Sequence, residues 1–90
     1  KISRIQPPRP LTHDLLGNTI GQLGASLVRI VISKLEFNTF FAKLILKTRD
    51  GKVEEVDARP SDSIALALRA DAPIFVADEV LNQVASSYGL

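Results

Sequence analysis

Two short stretches of this chain carry side chains able to do chemistry. The first is Arg9-Pro10-Leu11-Thr12-His13-Asp14, and the second is Asp57-Ala58-Arg59-Pro60-Ser61-Asp62. Each puts charged and hydroxyl side chains where a helix should begin. Free N–H groups and a partial positive charge at such a start attract phosphate. Arg9 and Arg59 would add guanidinium forks that fit a phosphate. Thr12 and Ser61 would cap the helices with their hydroxyls, and Asp14 and Asp62 would sit in the first turns. Each residue also has a plainer reading as a cap, a first-turn acid, a surface histidine or an ion-pair partner. Asp57, for instance, could pair with Lys43 or Arg59. The joint pattern suggests that both helix starts converge on one cleft.

The remaining composition narrows the chemistry. Cys is absent, which excludes disulfides, thiolate metal sites and a cysteine nucleophile. One His excludes a His-rich metal site or a pair of histidines within one chain. Phosphate-loop, dinucleotide-binding, zinc-protease and hydrolase-elbow patterns are all missing. No apolar run approaches the roughly 20 residues needed to cross a bilayer, and no secretory leader is visible. The expectation is a cytoplasmic protein without membrane contact. The chain begins at Lys1 and has no Met, so it is read as a fragment, a processed chain or the ordered part of a longer protein.

The net charge of +1 hides a gradient. Residues 1–49 hold eight Lys/Arg against two Asp/Glu, a net of +6, and residues 50–90 hold three against eight, a net of −5. This is either an anion-binding face or two halves that neutralise each other.

The elements that must position these residues follow from pattern. Pro7, Pro8 and Pro10 favour an extended entry. Leu15, Leu16, Thr19, Ile20 and Leu23 recur at helical spacing, and Gly24 is a natural stop. Gly17 and Gly21, four apart, would admit a close neighbour. Ala25–Leu35 and Phe40–Thr48 read as strands joined by a turn at Glu36–Thr39, and Lys52–Ala58 reads as a third. The Asp50-Gly51 turn leaves two registers. A three-residue loop pairs Leu44 with Val56 and Ala42 with Ala58, which keeps the core apolar and sets Lys43 opposite Asp57. It is preferred over the two-residue turn. A second helix follows Pro60, with Ile64, Ala65 and Leu68 as its buried stripe, joined by Ala67 and widened by Leu66. Ile74–Ala77 is a short buried strand. Asp78 caps a last helix carrying Val80, Leu81, Val84 and Tyr88. Phe40 and Phe75 are assigned to the core, which leaves Phe37 and Phe41 as candidate exposed aromatics. The fold class is α+β, a mainly antiparallel sheet covered by helices, in one domain spanning 1–90.

The stretch Pro8–Leu16, with Val56–Ala67, Phe40–Leu44 and Ala72–Val76, resembles the bifunctional nuclease domain family. The resemblance runs from Pro8 to about Val80. It implies activity on DNA and RNA, and further strands upstream of this chain. On that reading Asp14, Asp57 and Asp62 would hold Mg²⁺ or Mn²⁺, and Arg9, Arg59, Thr12 and Ser61 would bind the phosphate. His13 would be the base, or the acid on the leaving group. Lys43, Lys47 and Arg49 would draw in the nucleic-acid backbone. A homo-oligomer is expected, most simply a dimer. The alternative is a non-catalytic oligomerising or ligand-binding module. There the two motifs are helix caps and structural ion pairs.

Overall fold

A computed structural model describes residues 12–87. The elements run α1 (Thr12–Gln22), β1 (Ser26–Glu36), β2 (Thr39–Lys47), β3 (Val53–Ala58), α2 (Pro60–Ala70), β4 (Ile74–Val76) and α3 (Asp78–Ser87). This is the expected α+β order. The proline-rich entry and Tyr88 lie outside the described residues. Among the described residues no helix is long and apolar enough to cross a membrane.

The strands form one sheet in the order β3-β2-β1-β4. β1, β2 and β3 are successive antiparallel neighbours, and β4 joins β1 in parallel after the α2 crossover. Two tight connections set the register. Phe37 and Asn38 both take positive φ, 52° and 62°, as a turn that follows the strand twist requires. At the second hairpin Thr48 N–H donates to the Lys52 carbonyl at 2.8 Å, and Gly51 takes φ +90°. Arg49-Asp50-Gly51 is therefore the three-residue loop. It pairs Leu44 with Val56, Ala42 with Ala58 and Lys43 with Asp57, as the preferred register requires.

The helices cover one face of the sheet. Ile30, Ile32, Ala42 and Leu44 from β1 and β2 pack with Leu66 and Ala67 of α2 and Val80 of α3. Apolar residues of one strand face alternate at period two, which gives Ile30/Ile32 and Ala42/Leu44. α2 is phased differently from the sequence expectation. Its buried residues are Ser63, Leu66 and Ala67, while Ile64 and Leu68 are exposed, Leu68 at 72%. Ile64 to Leu68 is an unbroken apolar run, so its periodicity could not choose the inward side. Ser63, Leu66 and Ala67, three and four apart, supply the packed stripe.

Phe40 and Phe75 were expected in the core and are exposed instead, Phe75 at 51%. Phe75 pairs with Val31 on the three-residue edge strand β4. Strand alternation then puts it on the face opposite Ile30 and Ile32. Phe40 pairs with Leu35, close to the β1–β2 turn. α1 contains no fully buried residue, and Leu15 and Leu23 are exposed. A Cβ on Gly17 would meet Leu66 Cδ1 at 3.7 Å, but nothing approaches Gly21 within 4 Å. Of this pair, Gly17 is therefore the packing glycine. Gly24 ends α1 with φ +80°, and the Arg49 guanidinium lies directly against it.

Candidate active site

β3 runs into α2 through Ala58 and Arg59. Arg59, with φ −77° and ψ 148°, is the residue that precedes the helix, and Pro60 is the first helical residue. Ser61 is therefore not the cap. Proline favours that first position because its φ is preset and its missing N–H has no helical partner there. Thr12 is likewise already helical and is not the cap.

The two helix starts do meet. His13 Nε2 lies 3.0 Å from Asp62 Oδ1, and Arg59 Nε donates to Asp62 Oδ2 at 3.1 Å. One carboxylate thus holds an imidazole on one oxygen and a guanidinium on the other. The hydrogen bond from His13 and then that from Arg59 hold the Asp62 carboxyl below its ordinary 3.8, against a weaker opposing effect of desolvation. Beside this trio is a cleft of about 410 Å³. Thr12, His13, Asp57, Arg59 and Asp62 supply its polar lining, and Leu44 and Leu66 are among its apolar walls.

The depressed Asp62 value has a consequence for stability. A lowered folded-state value adds stability that is fully present above the unfolded value, here 3.8. That stability disappears as pH falls through the lower folded value. Wild type is expected to lose more stability than Asp62→Asn between pH 5 and the acid side of that value. Urea midpoints at each pH would measure the difference.

The other candidates fall in different places. Asp14 is turned away from the cleft and accepts a hydrogen bond from Arg69 Nε in α2. It lines a neighbouring depression of about 360 Å³ between α1 and α2, a depression that His13 also borders. Asp57 lies at the edge of the sheet. Its pairing with Lys43 and the strand alternation put it on the face opposite Val56 and Ala58. It borders the main cleft and also a depression with Lys43 and Phe41 on the far side.

Neither expected ion pair to Asp57 is present. Lys43 Nζ reaches Glu55 Oε1 at 3.3 Å, and Arg59 is held by Asp62. Among the described residues, Asp14, Asp57 and Asp62 do not form one ligand set, and no group of three or more acidic or His side chains could hold a metal ion. The carboxylates expected to cage Mg²⁺ or Mn²⁺ therefore do not fit that role together. One is taken by Arg69, one is shared between His13 and Arg59, and Asp57 borders the cleft from the sheet edge.

The basic row does not assemble at the cleft either. Lys47 is four strand residues from Lys43, about 13 Å along β2. Arg49 lies beyond it, against Gly24. Arg9 is outside the described residues. One participant was not legible in sequence: Arg69 is 55 residues from Asp14, and no local motif signals the pair.

The sequence profile of the bifunctional nuclease domain matches residues 1–88. The chain belongs to the bifunctional nuclease domain family. The chain is similar to two proteins from Mycobacterium tuberculosis: Uncharacterized protein MT1877 of strain CDC 1551 / Oshkosh and Uncharacterized protein Rv1829 of strain H37Rv. Each is 49% identical over 79 residues, which is 88% of this chain and 46% of the relative. This bifunctional nuclease domain therefore spans about half the length of the curated relatives it matches. Its two motif-bearing helix starts are the ones that close on the His13–Asp62–Arg59 cleft.

Proposed function

We propose that this domain hydrolyses phosphodiester bonds of DNA and RNA at the cleft between α1, β3 and α2. The observation that carries the proposal is the His13–Asp62–Arg59 constellation, which joins a proton-transfer group to a phosphate-binding group through one carboxylate. Family membership supports the same reading.

The chemistry follows from the atoms. Asp62 accepts the proton on Nε2, so Nδ1 is the basic nitrogen of the neutral ring. A water attacking phosphorus gives its proton to Nδ1 as the new P–O bond forms. The bond to the leaving sugar oxygen breaks, and that oxygen takes a proton from the imidazolium or from solvent. Negative charge grows on the non-bridging oxygens during this step. Arg59 is placed to meet it, because its side chain is 81% exposed and only Nε is engaged with Asp62 among the described residues. Ser61 and Thr12, in the first turns of α2 and α1, would add hydroxyl donors beside free helix N–H groups. No step is routed through Mg²⁺ or Mn²⁺, since the three carboxylates do not converge. Cleavage with and without a chelator measures that dependence separately.

Arg59→Ala is expected to lower kcat/KM on single-stranded DNA and RNA by roughly 10- to 100-fold, the worth of one or two hydrogen bonds to a charged group. Parallel preparations of wild type and variant, assayed on end-labelled oligonucleotides, test this. Equal rates in both would place cleavage elsewhere.

A second reading has one observation in its favour. α1 buries nothing fully, and Leu23 and Leu68 are 74% and 72% exposed. Apolar surface of that kind suits contact with a second copy, with the polar trio acting as a staple between helices. A stable dimer without cleavage, in a preparation whose variants match wild type, would favour this non-catalytic module.

A further inference from the structure

Two polar links join α1 to α2, and they leave α1 from adjacent residues. His13 meets Asp62 in the first turn of α2, and Asp14 meets Arg69 in its last turn. Adjacent residues point about 100° apart around a helix, so two such links fix the rotation of α1 as well as its distance. Little else does so. α1 buries no residue fully, and its apolar anchorage is Ile20 against the core and Gly17 against Leu66.

Arg69 is itself braced. Its Nη1 donates to the Ala65 carbonyl at 3.1 Å, one turn back on α2, while its Nε donates to Asp14 Oδ1. A guanidinium can make both contacts in one plane, and a lysine ammonium cannot reproduce that fork. The link is part-exposed, so its value lies in geometry more than in stability.

We infer that Arg69 is a positioning residue: through Asp14 it sets α1 so that the His13 ring meets Asp62 and borders the cleft. This rests on the reading of His13 as the proton-transfer group. It also gives Asp14 a defined task, as the receiving end of that brace rather than as a metal ligand. A displacement of about 1 Å at a proton-transfer group lowers a rate by roughly 100-fold, which is the scale of loss such a brace would prevent.

Three variants of the full chain test the inference: Arg69→Met, Arg69→Lys, and the reciprocal pair Asp14→Arg with Arg69→Asp. One readout is steady-state cleavage of a single-stranded DNA oligonucleotide. The other is the imidazole nitrogen NMR spectrum, unambiguous because His13 is the only His. Arg69→Met is expected to lower kcat by roughly 100-fold with KM near wild type. It should also move the ring nitrogens from the Nε2–H form toward a tautomer mixture. Arg69→Lys should recover part of the loss, and the reciprocal pair most of it.

A folded Arg69→Met with the wild-type imidazole spectrum overturns the inference, whatever its rate. So does a folded reciprocal pair as impaired as Arg69→Met. If Arg69→Met does not fold, the reciprocal pair decides alone: folded with the wild-type imidazole spectrum it upholds the inference, and folded with a tautomer mixture it overturns it. A changed imidazole spectrum in a chain that never cleaves DNA upholds the positioning role and sinks the nuclease reading instead.

Discussion

His13→Ala is expected to lower the cleavage rate by roughly 10²- to 10⁴-fold, the usual contribution of a positioned proton-transfer group. The fold should survive, because His13 is only half-buried and the substitution removes no core contact. The loss should appear in kcat more than in KM, since the proposed mechanism has the ring act on the attacking water and leaves phosphate binding to Arg59. DNA should show it as strongly as RNA. DNA has no internal hydroxyl nucleophile, so a water must be deprotonated for every cleavage. Asp62→Asn should be impaired as well. An amide in place of the carboxylate removes the charge that both His13 and Arg59 contact. Rates on labelled oligonucleotides, with folding checked by circular dichroism, give these comparisons.

The largest stability effect is expected at Leu66. It is 1% exposed, belongs to the core cluster, lines the cleft and is the residue on which Gly17 of α1 rests. Truncating a leucine so placed costs about 2–5 kcal/mol, part from lost transfer and part from the cavity left behind. A whole domain is stable by only about 5–15 kcal/mol, so Leu66→Ala should lower the urea midpoint sharply. It should also lower activity before it unfolds the chain, because α1 loses its main apolar seat. Leu68→Ala, two residues on and exposed on the opposite side of α2, should leave the midpoint almost unchanged. The pair of measurements tests the phase of α2 directly.

That phase marks where sequence reading succeeded and where it failed. Strand register was legible, because the three-residue loop kept Glu55 and Asp57 off the face shared by Leu44 and Val56. The turn at Phe37-Asn38 and the stop at Gly24 were legible for the same local reason: few conformations satisfy such sequences. The inward side of α2 was not. Ile64-Ala65-Leu66-Ala67-Leu68 is apolar all round, and only packing against β1 and β2 selects Leu66 and Ala67.

Of the site, the convergence of two helix starts was readable from their matching residue types. The sorting of the carboxylates was not. Asp14 is claimed by Arg69 from 55 residues away, and Asp57 is carried across the sheet edge by strand alternation. Both are tertiary facts with no local signature. The pairing of charges between the two halves is a tertiary fact too. Lys43 of the basic half meets Glu55 of the acidic half, whereas Arg69–Asp14 joins the minority charges of the two halves, so one cross-half pair among the described residues works against the gradient.

The central claim is that cleavage belongs to His13 in this cleft. Chemical rescue tests it most directly: His13→Ala is assayed on single-stranded DNA with increasing imidazole in the buffer. The ring removed by the mutation leaves a space next to Asp62, in which free imidazole can take the proton. The expected result is a rate near background without imidazole and a saturable recovery with it, absent when Asp62→Asn is added. A His13→Ala preparation that cleaves DNA as fast as wild type would contradict the claim. So would an impaired but folded one that imidazole never restores.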